Sequence, residues 1–403
     1  MRVLMLSWEY PPHQVGGLGQ HVFELSRALV RQGLEVHVLT LAGEGNRTLE
    51  QNFGVNVHRI APYQLSTPDF VTWILQINIA LLEKAIALLP ELGPFDLVHG
   101  HDWLVAHASR ALKHSLRVPL IATIHATEYG RNNGLHNDTQ RYISSVEWFL
   151  TYEAWRVIIC SLYMRDELLR VFKLPEDKLC LIPNGVNLSD FEVDPGLEKE
   201  IERFRANYAH PSEKVVFCIS RLVHEKGVQL LIDAAPKILA AYPQTKFIIA
   251  GRGPSEWYLK EKVRTLGLDN RFYFTGYIDE QTRNRLYRCA DVAVCPSLYE
   301  PFGLVALEAM AAGTPVVVSD TGGISELVDN GVDGLKFNTG SSDSLARKVL
   351  EMLNHPQKSM HLREQARQKV INRYSWDVVA ARTVIVYQQV LQESYCSSWS
   401  REP

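Results

Sequence analysis

Pro296-Ser-Leu-Tyr-Glu300-Pro-Phe-Gly-Leu-Val-Ala-Leu-Glu308-Ala-Met-Ala-Ala-Gly313 follows an apolar run at residues 292–295 and closes in an alanine-rich segment. Strand, turn and helix in that order form the repeating unit of an α/β fold. Two carboxylates, Glu300 and Glu308, flank the turn. Pro301 pre-sets the backbone, and Gly303 allows a ligand to approach closely. The N–H groups near Gly303, Leu304 and Val305 would open a helix, where an anion is welcome. Phe302, Gly303 and Leu304 are therefore candidate ligand contacts. A carboxylate on each side of an anion-binding turn suits a ligand that is part phosphate and part hydroxylated ring, as a sugar nucleotide is.

The same rhythm extends in both directions. Strand-like runs at residues 215–220, 246–250, 271–275 and 315–319 alternate with helical patterns. An earlier series lies at residues 3–7, 35–41, 95–99, 119–125, 157–160 and 179–182. Between these fall Val22, Leu25, Leu29 and Val30 at helical spacing ahead of Gly33, and helical stretches near 103–114 and 138–155. Such alternation argues parallel sheets covered by helices on both faces. A length of 403 residues exceeds one ordinary core and suits two domains. Residues 183–211 contain Asn-Gly, Asp-Pro-Gly and many charges; their first part reads as a hinge between domains, with a short helix around 197–208. The expected division is residues 1–190 plus 375–403, and residues 191–374. The tail reads as helices at 345–353, 356–373 and 376–393, the last returning to the first domain.

Composition excludes several classes. A net charge of -3 gives no support for a nucleic-acid partner. Six cysteines lie scattered without a C-x-x-C pair, as in a reduced, cytoplasmic protein. Residues 70–89 are long and apolar but contain Gln76, Asn78, Glu83 and Lys84, so they read as a buried core helix and not a membrane span. Gly17-Leu-Gly19 lacks the third glycine of a dinucleotide fingerprint, which removes the main support for a dehydrogenase. A P-loop and a G-x-S-x-G elbow are also missing from the sequence.

Taken together, the motifs resemble those of the large family of two-domain retaining glycosyltransferases, which includes glycogen synthases, sucrose synthases and bacterial mannosyl- and glucosyltransferases. Glu300 to Glu308 is similar to its E-x7-E element. Ser220-Arg221-Leu-Val-His-Glu225-Lys226-Gly227 is similar to its basic diphosphate motif, and Val15-Gly16-Gly17-Leu18 to its N-terminal glycine loop. Val98-His99-Gly100-His101-Asp102-Trp103 and Thr123-Ile124-His125 resemble glycogen and starch synthases in particular. Where many synthases carry a lysine two residues before the glycine pair, this chain has Gln14-Val15.

The resemblance implies a GT-B type fold, two doubly wound Rossmann-like domains facing across a cleft. It implies transfer of a hexose, glucose above all, from an ADP- or UDP-linked donor to a carbohydrate acceptor, with no cofactor and no metal. The candidate catalytic residues are His125, Arg221, Lys226 and Glu300. Arg221 and Lys226 would neutralise the departing diphosphate; a surface ion pair at a strand end is the plainer reading. Glu300 would meet the donor sugar's hydroxyls and Glu308 the ribose; the plainer readings are a helix cap and a buried structural carboxylate. His125 would bond the sugar's 6-hydroxyl or shield the reacting carbon, unless it is a satisfied core histidine. Gly16 and Gly17 would present N–H groups to the diphosphate or sugar. Gly251, Gly253, Tyr277 and Ile278 would hold the base. His99, His101 and Asp102 invite a metal reading, but without a cysteine cluster no zinc site is expected. An acceptor that is lipid-linked or part of an exopolysaccharide, a sugar-nucleotide epimerase, and a non-catalytic sugar-nucleotide-binding protein stand as alternatives.

Overall fold

The computed structural model describes residues 1–13, 16–43, 49–191, 198–397 and 399. Gln14 and Val15 of the glycine loop, residues 192–197 of the expected hinge, and the chain's last residues from 400 on lie outside the described residues. The chain forms two compact units, Met1–Asn184 with Trp376–Pro403, and Gly185–Ser375.

The first unit begins β1 (Arg2–Leu6), α1 (Gly17–Arg31), β2 (Glu35–Leu41), β3 (Leu49–Asn52), β4 (Val55–Ile60), α2 (Phe70–Leu92), β5 (Leu97–His101) and α3 (Ala106–Leu116). It continues through β6 (Leu120–Ile124), α4 (Glu128–Asn132), α5 (Asp138–Glu153), β7 (Arg156–Ile159), α6 (Leu162–Phe172) and β8 (Leu179–Leu181). Among the described residues, eight strands form one sheet in the order β3-β4-β2-β1-β5-β6-β7-β8. All pairs are parallel except β3 with β4. Strands β5 and β6 are buried throughout; β6 reads as an apolar run with one threonine, while β5 also buries His99 and His101. The strand order reverses between β1 and β5, so the crevice at this switch point opens beside the loops that follow those two strands.

The second unit runs α7 (Glu198–Arg205), β9 (Lys214–Ile219), α8 (Val228–Ala241), β10 (Thr245–Ala250), α9 (Glu256–Thr265), β11 (Phe272–Gly276), α10 (Glu280–Cys289) and β12 (Val292–Cys295). Then come α11 (Leu304–Ala311), β13 (Val316–Ser319), α12 (Gly322–Leu327), β14 (Leu335–Phe337), α13 (Ser342–Asn354) and α14 (Pro356–Arg373). Its sheet is wholly parallel, ordered β11-β10-β9-β12-β13-β14 among the described residues, with the switch between β9 and β12. The final helix, α15 (Trp376–Tyr395), belongs to the first unit and packs on α1, with Arg31 and Asp377 ion-paired at 2.8 Å.

Three expectations change. The hairpin of β3 and β4 escaped the sequence reading, because an edge strand such as Leu-Glu-Gln-Asn buries no residue fully and shows no apolar face. The expected helix at 103–114 begins as one 3-10 turn, Trp103–Val105, before α3. The third concerns α2, which is not a wholly buried core helix. Ile74, Ile77, Leu81, Ala85 and Leu88 face the core, while Phe70, Leu75, Ile79 and Ile86 are exposed. Among the described residues α2 is the helix long and apolar enough to cross a bilayer, yet a polar clasp ties it to α3. Asn78 donates from Nδ2 to Leu104 O at 2.8 Å, and its Oδ1 accepts the Ala108 N–H at 2.9 Å.

Removing that side chain leaves the buried Ala108 N–H and Leu104 carbonyl unpaired. Asn78→Ala is expected to lower stability by about 1–3 kcal/mol. Lys84→Ala, on the same helix, should change it by no more than about 0.5 kcal/mol. Urea unfolding followed by circular dichroism checks both.

Candidate active site

In the second unit the candidate residues converge at the carboxyl edge of the sheet, on both sides of its switch point. The loop after β9 carries Arg221 and Lys226; the loop after β12 carries Ser297 and Glu300. The two loops are joined backbone to backbone, Leu298 N–H to Glu225 O at 2.8 Å. Lys226 Nζ donates to Glu300 Oε2 at 2.8 Å, and the Ser297 hydroxyl donates to the same oxygen at 3.1 Å. Both side chains of the ion pair are largely buried. Arg221 is exposed and approaches Glu225 at 3.7 Å, too far for a strong bond.

Glycine makes this approach possible. Gly227 sits at φ 69°, and a Cβ there would lie 1.9 Å from the Pro296 carbonyl oxygen. Any side chain would push Lys226 away from Glu300. Gly303, at φ 104°, caps α11, and its missing Cβ leaves room for Ile324. The Leu304 and Val305 ends of the helix are half-buried, so the N-terminus of α11 is reachable. Phe302 is different: it is buried, ring to ring with Tyr374 at 6.2 Å, and packs the turn in place.

Glu308, one side of α11, is held by α10. Arg283 Nη1 lies 3.1 Å from Glu308 Oε1, and the Tyr287 hydroxyl donates to Oε2 at 3.0 Å. Burial pushes the carboxyl above its ordinary value, against the opposing charge of Arg283. Each carboxylate oxygen keeps a second lone pair, so the grip orients Glu308 without exhausting it. Arg283 and Tyr287 escaped the sequence reading. The only signal was their i, i+4 spacing, which places both on one face of α10 but does not say what that face meets.

The residues expected at the base divide. A Cβ at Gly251 would lie 1.9 Å from Ser220 O, and one at Gly253 2.3 Å from Leu222 O. These glycines pack the loop after β10 against the Arg221 loop, a structural duty the sequence reading did not foresee. Gly251 N–H also donates to Gly276 O at 2.8 Å, which brings Tyr277 and Ile278 to the same edge. Tyr277 is 71% exposed, a ring available for stacking.

The first unit holds the histidines. His125 follows β6; its backbone N–H donates to Asp102 Oδ1 at 2.8 Å. Asp102 sits at φ 60°, ψ 173°, a conformation that costs about 1–3 kcal/mol for a residue with a side chain. Its own N–H donates to Thr123 O at 3.0 Å, so the strained residue clamps the β6 end from two points. Burial pushes the Asp102 carboxyl up to about 6, against the charge of Arg131. His99 is satisfied on both ring nitrogens, by Tyr387 Oη and Thr123 Oγ1, each at 2.7 Å. His101 stacks on His125, and His21, from α1, meets His125 edge-on at 4.6 Å. Burial, then the charge of Arg131, holds His125 down to about 3. Burial and neighbouring histidines hold His21 and His101 well below their ordinary value. The cluster is therefore neutral at pH 7.

Gly16 N–H donates to the buried Glu9 carboxylate at 2.9 Å, so the protein's own anion already occupies this end of α1. Gly17, the first helical residue, is exposed.

If the Arg283–Glu308 contact behaves as a buried ion pair, removing only the cation leaves an uncompensated carboxylate. Arg283→Leu is expected to destabilise the protein by about 3–5 kcal/mol. Arg283→Leu with Glu308→Leu should recover most of that loss in the same denaturation experiment.

The family model for glycosyl transferases group 1 matches residues 200–369, and that for glycosyltransferase family 4 matches residues 15–190. The chain is 39% identical over 392 residues to an uncharacterized glycosyltransferase of Methanocaldococcus jannaschii, covering 97% of this chain and 99% of the relative. It is 36% identical over 402 residues to a glycogen synthase of Mycobacterium tuberculosis, covering 96% and 94%. In fold it is similar to sucrose-phosphate synthase from Thermosynechococcus elongatus, with a TM-score of 0.84 at 24% identity over 97% of this chain and 99% of the other.

Proposed function

The chain belongs to the glycosyltransferases, and from that premise we propose that it moves a hexosyl unit, glucosyl first among them, from a nucleoside-diphosphate sugar to a carbohydrate hydroxyl with retention of configuration. The similarity to a glycogen synthase supports an α-glucan as the acceptor. The observation that carries the reading is the pairing of Lys226 with Glu300 at 2.8 Å across the switch point of the second sheet. A cation suited to phosphate and a carboxylate suited to sugar hydroxyls meet there, as a donor with both chemistries requires.

The chemistry is a single exchange of bonds. The bond between the sugar's anomeric carbon and the diphosphate oxygen breaks, and the acceptor oxygen takes its place on the same face. The acceptor's proton passes to the departing phosphate. Charge develops on that phosphate, and Lys226 and Arg221 stabilise it more in the transition state than in the ground state. Donor binding exchanges part of the Lys226–Glu300 contact for contacts to phosphate and sugar, so neither charge is left unpaired. Glu300 Oε2 stays anchored by Ser297. Glu308, gripped by Arg283 and Tyr287, receives the ribose hydroxyls through its remaining lone pairs. His125, neutral at pH 7, accepts from a sugar hydroxyl. Two cations serve the diphosphate, Lys226 held by Glu300 and Arg221 from an exposed position, so this reading asks for no cofactor and no metal there.

Glu300→Gln and Lys226→Ala should each lower the release of nucleoside diphosphate in transfer by roughly 10²–10³-fold. Thermal unfolding should show that both variants are folded. Near-normal rates in both would contradict the assignment.

A further inference from the structure

We propose that the outer face of α2 is the seam of a homodimer, paired with the same helix of a second copy of this chain. The core takes one apolar stripe of α2: Ile74, Ile77, Leu81, Ala85 and Leu88. A second stripe, Leu75, Ile79, Leu82, Ile86 and Leu89, runs along another side at steps of four, three, four and three residues. Leu75, Ile79 and Ile86 are 37%, 51% and 47% exposed, and Leu82 and Leu89 are half-buried. A surface helix of a globular protein needs one apolar stripe to face its core. Helix α2 has two, and the fold uses one.

The second stripe has the pattern of a two-stranded helix pair. Alternating steps of three and four keep a narrow seam on one side of a helix. Isoleucine fills one alternate set of positions and leucine the other, a distribution that favours two parallel strands in register. In that pairing Ile79 meets Ile79 of the second copy, and Leu82 meets Leu82. The stripe is therefore self-complementary, as a two-fold interface requires. Forming a helix is ordinarily the unfavourable part of building so short a seam. Here the core stripe and the Asn78 clasp already hold α2 in shape.

Charge selects a second copy over a lipid surface. The stripe itself contains no ionisable side chain. Glu83 borders it and accepts from the Tyr63 hydroxyl. Lys84, the one cation of α2, acts instead on His58 of β4, which burial first, then His37 and Lys84, hold down to about 4. Helices that lie on anionic bilayers carry lysine and arginine beside their apolar face; this face is bordered by an acid. In the parallel pairing the two Glu83 side chains fall on opposite flanks of the seam, so like charges stay apart. From Leu75 to Leu89 the seam is about 21 Å long. That is short for an interface of standard size, so the dimer is a weak one, with a dissociation constant of roughly 1–100 μM.

The test is sedimentation velocity of the full chain at concentrations spanning and exceeding that range. The expected result is a reversible equilibrium between monomer and dimer. Ile79→Glu sets two carboxylates against each other within the seam and should raise the dissociation constant by roughly 100-fold. Circular dichroism establishes that this variant is folded. Leu75→Cys, combined with Cys396→Ser to remove an exposed native thiol, should give a disulfide-linked dimer on air oxidation. Parallel pairing brings the two copies of position 75 together, and antiparallel pairing holds them apart. The cross-link keeps the proposal testable even if Ile79→Glu does not fold. A chain that stays monomeric, a dimer that Ile79→Glu leaves unchanged, or the failure of the cross-link would overturn the proposal. So would pelleting with phosphatidylglycerol vesicles that Ile79→Glu abolishes, which would give this face to a bilayer. None of these readouts depends on glycosyl transfer, so they stand apart from the proposed function.

Discussion

The contact between Lys226 Nζ and Glu300 Oε2 organises the carboxyl edge of the second unit's sheet. It exists because the sheet order reverses between β9 and β12, which lets two loops distant in sequence open toward the same crevice. The backbone bond from Leu298 to Glu225 fixes their separation, and the absence of a Cβ at Gly227 permits it. A mostly buried ion pair is no large source of net stability, because desolvation offsets much of the attraction. Its value lies in readiness. Two charges that a polar ligand would use are already desolvated and aimed, so binding need not order them.

The same economy governs Glu308. Burial alone would favour its neutral form, and Arg283 opposes that tendency. The Tyr287 hydroxyl, whose single proton is shared between Glu308 Oε2 and Val305 O, each 3.0 Å away, ties the carboxylate's orientation to the first turn of α11. Thus Glu300 and Glu308 are both oriented by side chains outside the segment that contains them. In the first unit Asp102 plays a comparable part for His125, at the cost of backbone strain that the Thr123 carbonyl and the His125 N–H together hold in place.

Much of this was legible in the sequence, and what was not has a physical reason. Central strands such as Leu120–Ile124 are covered on both faces, so their apolar runs stand out. The edge strand Leu49–Asn52 has no such signature. Glu300 and Glu308 could be found because their spacing is local and brackets a glycine turn. Arg283 and Tyr287 could not, because their contacts with Glu308 depend on which helix face the fold turns toward it. The Glu9 partner of Gly16 was not foreseen for a related cause: Glu9 lies on the far side of a loop. The exposed half of α2 was hidden by composition, since a helix apolar on all sides reads as core wherever it sits.

The most direct measurement is nucleoside diphosphate release by the purified full chain across ADP- and UDP-linked hexoses, with and without a glucan primer. The account expects release from at least one such donor, increased by the primer and accompanied by its elongation through α-linked residues. A chain that binds these donors but consumes none, or that converts one without any acceptor, contradicts it.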